Sequence, residues 1–80
     1  MSKQSRLQWR CRRGIKEMDI VCQRFLAQHY PSLSQEQQAL FSDILDESDL
    51  DILDWILGRS EPEREEYRAL IEVFRELKPE

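Results

Sequence analysis

Arg12-Arg13-Gly14-Ile15-Lys16-Glu17 is the stretch at which a short basic arm gives way to the first long helix. Gly14 makes the division, because glycine in a helix interior is less favourable than alanine by about 1 kcal/mol and readily adopts the backbone angles of a turn. Before it, residues from Ser5 to about Cys11 are expected to form a short helix, with Leu7 as its apolar anchor and Trp9 as an amphipathic one. After it, Ile15, Met18, Cys22, Phe25, Leu26 and His29 follow the i, i+3, i+4, i+7 spacing of one buried helix face, which Val21 widens. The predicted second helix therefore runs from about Ile15 to His29. The stretch also has the residue types of a docking surface: permanent guanidinium charge, a glycine that leaves room for another backbone, and a carboxylate one turn further on.

Helical patterns continue to the end. Pro31 stops the second helix, since proline lacks the next amide donor and pushes Tyr30 before it towards extended geometry. Ser34 opens a third helix, with Gln37 completing a capping box and Leu40, Phe41, Ile44 and Leu45 forming its core face. Ser48 caps a short fourth helix whose first turn carries Asp49 and Asp51, where the helix dipole favours negative charge. Leu50, Leu53, Ile56 and Leu57 are its expected inner stripe. Ile52 and Trp55 fall on another face, so this helix is either buried on two sides or shows an aromatic to solvent. Gly58 suits the left-handed position that ends it. A fifth helix is expected to begin near Pro62, to bury Tyr67, Leu70, Ile71, Phe74 and Leu77, and to end before Pro79. Short connections favour antiparallel neighbours. The expected fold is all-α: a five-helix bundle forming a single domain over residues 1–80, with residues 1–13 as a basic arm and short helix and residues 14–80 as the helical body.

Eighty residues suffice for one modest core, burying about 60% of the unfolded surface, and a deep active-site cavity would compete with that core. A hydrophobic fraction of 40%, a charged fraction of 35%, two Gly and three Pro argue for a folded chain. The net charge of -4 is unevenly placed. Through Arg24 there are seven basic residues against Glu17 and Asp19, while the remainder holds fourteen acidic residues against five basic ones. Such a polar field orients partners during encounter. Cys11 and Cys22 match neither a Cys-x-x-Cys pair nor a disulfide framework, so a reduced, cytoplasmic setting is expected. The first residues, Met1 to Arg6, contain no apolar targeting region, and no run approaches the roughly 18 apolar residues of a membrane span.

Catalytic chemistry finds little support. His29, the single histidine, lies on an apolar stripe and reads as a partly buried structural residue. Asp43, Asp46, Glu47, Asp49, Asp51 and Asp54 fall at helix ends and outer faces, where solvation accounts for them. No metal-ligand spacing, nucleophile with base or phosphate-binding glycine loop is present. The chain is therefore not expected to be an enzyme. The basic arm from Arg6 to Arg13 allows a second reading as a small nucleic-acid-binding module, with arginines on phosphates and Trp9 stacked on a base. A sequence pI near 5.0 weighs against it, and no nucleic-acid partner is expected. The plainest reading of Arg13 and Glu17, four residues apart, is a helix-surface ion pair worth about 0.3 to 0.5 kcal/mol.

The run from Trp9 to Asp19 resembles the signature of the succinate dehydrogenase flavinylation factors, the SdhE family, whose hallmark is Arg-Gly-x-x-Glu. The segments Leu33 to Leu45 and Leu50 to Leu57 are similar to that family as well, so the likeness spans nearly the whole chain. It implies a five-helix bundle that binds the flavoprotein subunit of succinate dehydrogenase, and in bacteria also of fumarate reductase, and promotes covalent attachment of FAD to a histidine of that subunit. FAD is then carried by the partner, and this chain binds no cofactor stably. Arg13, Gly14 and Glu17 match the motif and inherit a partner-facing role, with Arg12, Trp9 and Asp19 as neighbours. Mitochondrial members carry a targeting extension absent here, so a bacterial cytoplasmic protein is expected, acting as a monomer. An antitoxin-like partnership with a membrane protein, also ascribed to members of the family, is a further alternative.

Overall fold

The computed structural model describes residues 3–79. Met1 and Ser2, on which the reading of the amino terminus begins, lie outside them. Among the described residues there are five α-helices and no strand: α1 (Lys3–Arg10), α2 (Lys16–Gln28), α3 (Gln35–Leu45), α4 (Asp49–Leu57) and α5 (Arg68–Glu76). Short 3-10 turns, Tyr30–Ser32 and Glu65–Tyr67, precede α3 and α5. The order and character of the helices match the all-α expectation.

Local signals explain most boundaries. The Ser34 hydroxyl accepts from the Gln37 amide at 3.2 Å, and the Gln37 side chain accepts from the Ser34 amide at 3.3 Å, the reciprocal box expected of that sequence. The Ser48 hydroxyl accepts from the Asp51 amide, and Gly58 ends α4 at φ +77. Two boundaries differ from expectation. Tyr30 joins a 3-10 turn instead of extending, with Pro31 in the first turn, where its missing amide is not required. Pro62 does not start α5: it is fully buried in the connection, and α5 begins only at Arg68 after the second 3-10 turn. Proline in this place packs into the core as an apolar side chain.

Helix α2 lies at the centre, against α1, α4 and α5. Its Met18, Val21, Cys22, Phe25 and Leu26 are buried, and Phe25 stacks on Phe41 of α3 at 4.8 Å and meets Phe74 of α5 edge-on at 4.9 Å. These aromatic pairs, worth about 0.5 to 1.5 kcal/mol each beyond their burial, join three helices at one point. His29 is half-buried with its ring 5.7 Å from Phe25. Cys11 and Cys22 are free and buried against each other. The hydrogen bond with Cys11 and then burial push the Cys22 thiol far above its usual range.

The inner face of α4 is a correction. Ile52, Trp55 and Ile56 are buried, whereas Leu50 is 74% exposed and Leu57 also faces outward. Two apolar stripes compete on this helix, and the one carrying the indole removes more apolar area from water. Trp55 packs 5.9 Å from Tyr67, which introduces α5. The Tyr67 hydroxyl donates to Glu47 at 3.1 Å and accepts from Arg64 at 2.9 Å, while the Arg64 guanidinium lies 4.6 Å over its ring.

Burial, and next the hydrogen bond to Glu47, raise the Tyr67 pKa above the ordinary 10.0. The folded state thus favours the protonated phenol, and that contribution is complete below the unfolded value and lost as pH rises through the folded one. At neutral pH, Tyr67→Phe should cost about 1 kcal/mol. Urea unfolding should show the gap between Tyr67→Phe and the parent narrowing above pH 10.0. A gap that widens there would contradict this assignment.

Candidate partner-docking site

The chain leaves α1 through two turns of hydrogen bonds, Cys11 to the Leu7 carbonyl at 3.0 Å and Arg12 to the Trp9 carbonyl at 3.1 Å. Gly14 then takes φ +83, a left-handed value that L side chains disfavour. Nothing lies within 4 Å of a Cβ built on it. The glycine is therefore required by the backbone torsion and not by crowding, and it leaves open space on the surface.

Arg13 does not face solvent. Its side chain is 17% exposed, and Nε and Nη2 both approach Oδ1 of Asp49, at 2.8 and 2.7 Å. Nη1 donates to the Leu45 carbonyl at 2.7 Å and to the Arg10 carbonyl at 3.2 Å, and Nη2 makes a longer contact with the Glu47 carbonyl at 3.4 Å. All three guanidinium nitrogens are engaged. From the other side, the Arg13 amide donates to Oδ1 of Asp19 at 2.6 Å. One residue therefore ties the Gly14 turn to the α3–α4 corner and to the first turns of α2.

Among the described residues, the ion-pair partner of Arg13 is Asp49 and not Glu17. The rule that joins residues four apart requires an unbroken helix, and Gly14 breaks it between them. Arg10 reinforces the same seam, donating to Ser42 Oγ at 2.7 Å, to the Ser42 carbonyl at 2.9 Å and to Asp46 at 2.7 Å. Asp46 and Asp49 are thus not merely solvated acids. Their role was readable only as a charge contrast between the first quarter of the chain and the rest.

The other residues of interest divide into separate groups. Trp9 is 66% exposed and carries the Arg12 guanidinium 5.5 Å above its ring, a cation–π contact worth about 0.5 to 1 kcal/mol at an exposed site. An open groove lined by Gln8, Arg12, Gln23, Leu26 and Ala27 adjoins this platform. Glu17 is exposed in the first turn of α2, where Ile15 supplies no side-chain cap and the helix dipole favours its negative charge. It belongs to none of the ion pairs among the described residues. The structure therefore brings Trp9 to Arg12 and Arg13 to Asp19, and leaves Gly14 and Glu17 displayed. Of the basic arm's arginines, Arg10 and Arg13 are committed within the chain.

Comparison with known proteins matches residues 5–78 to a family described as "Flavinator of succinate dehydrogenase". Individual relatives are the FAD assembly factor SdhE of Coxiella burnetii, 35% identical over 72 residues that cover 90% of this chain and 88% of that protein. The protein of the same name from Legionella pneumophila (strain Lens) is 40% identical, covering 79% of this chain and 80% of its own length. The one from Pseudomonas aeruginosa is 37% identical, covering 86% and 82%.

The left-handed torsion and the Arg13 contacts give separable stability effects. Gly14→Val should lose about 1 to 2 kcal/mol in chemical denaturation, whereas Gly14→Asn, which tolerates the same torsion, should lose distinctly less. Arg13→Gln should lose about 2 kcal/mol by stranding Asp49 and the Leu45 carbonyl. Equal losses for Gly14→Val and Gly14→Asn would show that the turn does not need its positive φ.

Proposed function

Because the chain belongs to the family of flavinators of succinate dehydrogenase, we propose that it is an assembly factor that promotes covalent attachment of FAD by binding the flavoprotein subunit of that enzyme. Fumarate reductase, where present, offers a related subunit. The observation that carries the docking mode is the exposed turn at Gly14 and Glu17 held on a fixed base by Arg13. Gly14 lets a partner backbone approach, Glu17 accepts its hydrogen bonds, and Trp9 with Arg12 adds a flat cationic contact. Arg13 and Asp19 act from behind this surface by holding the turn in shape.

Binding of this kind requires no catalytic group on the factor. Covalent attachment needs the flavin ring and a partner histidine held in attack geometry, and a factor that binds this conformer better than others raises its population. About 1.4 kcal/mol of preference changes the ratio tenfold. The chain in this proposal is a non-enzymatic monomer, FAD stays with the partner, and the reaction takes place in the cytoplasm. Free thiols at Cys11 and Cys22 suit a reducing compartment. No described helix is long and apolar enough to cross a membrane.

Co-expression with the apo flavoprotein subunit, read by in-gel flavin fluorescence, tests the proposal. The parent chain should raise covalent flavin, and Glu17→Ala should reduce the initial rate about tenfold with its helical circular dichroism intact. Full flavin incorporation by Glu17→Ala would remove this surface from the docking role.

A further inference from the structure

The contacts of Arg13 point to a residue outside the motif on which the displayed turn depends. We propose that Asp49, in the first turn of α4, is a positioning residue for partner docking, holding Arg13 so that Gly14 and Glu17 are presented in a binding-competent arrangement. This rests on the reading of that turn as the docking surface.

The geometry carries the assignment. Oδ1 of Asp49 receives two nitrogens of the Arg13 guanidinium, at 2.8 and 2.7 Å. With the guanidinium fixed, Nη1 meets the Leu45 carbonyl at 2.7 Å. The Arg13 amide is held at the same time by Asp19 at 2.6 Å. Arg13 is therefore restrained at both its side chain and its backbone, and Gly14, whose φ of +83 starts the new direction of the chain, follows immediately. A loosened Arg13 would let this torsion vary, and the turn would then lose conformational freedom on binding, which weakens affinity.

Helix α4 also contains its own control. Asp49 and Asp51 are both first-turn acids of the same helix, so both interact with its dipole. Only Asp49 pairs with Arg13 among the described residues. The two positions separate support of α4 from positioning of the docking turn.

The test uses the full chain and its Asp49→Asn, Asp49→Glu, Asp51→Asn and Glu17→Ala variants. NMR of the free protein reads solvent exchange of the Arg13 Nε proton, and calorimetry reads affinity for the apo flavoprotein subunit of succinate dehydrogenase. Asp49→Asn should speed exchange and weaken binding, each by about tenfold. Asp51→Asn should change both by less than about twofold, and Asp49→Glu should recover part of both. Equal losses in Asp49→Asn and Asp51→Asn would overturn the proposal by tracing the effect to α4 itself. Weakened binding by Glu17→Ala with parental binding by Asp49→Asn would also overturn it while leaving the docking surface in place. If neither variant binds more weakly, the docking surface is misassigned and the positioning role falls with it.

Discussion

Arg13 carries the constraint on which this small bundle's surface depends. Its guanidinium bridges positions that lie 32 to 36 residues away in sequence, and its amide reaches forward six residues to Asp19. Pulling such distant segments together costs chain entropy, which the aromatic core around Phe25, Phe41 and Phe74 offsets through buried area. The polar contacts then select one arrangement among those that the core allows. A planar group with donors in a fixed fork suits this task, because it can meet a carboxylate and a helix-end carbonyl at once. Lysine would retain the charge and lose that geometry.

The same solution recurs across the molecule. Helices α2, α3 and α4 have no basic residue in the last turn, although their terminal carbonyls call for donors or positive charge. Arginines from other elements reach two of those ends: Arg13 meets Leu45 at the end of α3, and Arg75 donates to the Trp55 carbonyl near the end of α4 at 2.8 Å. Arg24 similarly meets the Leu77 carbonyl beyond α5 at 2.9 Å. Such contacts turn a local deficit into links between helices. They also account for part of the charge asymmetry along the chain: Arg10 and Arg13 face acids at the α3–α4 corner, so the basic first quarter is in part an internal complement to the acidic body.

Features governed by nearby residues were legible in the sequence. The Ser34–Gln37 box, the Ser48 cap, the turn at Gly58 and the apolar stripe of α2 each arise from positions a few residues apart, and the backbone follows them. Features settled by packing were not. The periodicity of α4 offered two stripes, and only its neighbours decide that Ile52, Trp55 and Ile56 turn inward while Leu50 stays out. Pro62 had the composition of a helix start and became part of the core. At the Gly14 turn the motif itself could be read, including the need for glycine, but the direction of Arg13 could not. Glu17 was the acid four residues away, and the broken helix at Gly14 made Asp49 the accessible partner. The resemblance assigned all three motif residues to one partner-facing role; the geometry leaves Gly14 and Glu17 exposed and turns the Arg13 guanidinium inward.

If a flavoprotein docks on the motif as proposed, that division would limit how the motif is used. A partner carboxylate would reach Arg13 only by displacing Asp49, and it would have to preserve or replace the bond to the Leu45 carbonyl. Leaving that group unsatisfied in a partly buried site would cost about 1 to 3 kcal/mol, comparable to the advantage of a new charged contact. Gly14 and Glu17 impose no such exchange, since one presents open backbone and the other a carboxylate that joins no ion pair among the described residues. Under the proposed docking mode, affinity would be gained through these two residues while Arg13 keeps its internal bonds. In the proposed docking mode the rigidity of the clamp would help binding by reducing the freedom the turn must lose, so the most strongly bonded residue of the motif would contribute through the shape it maintains.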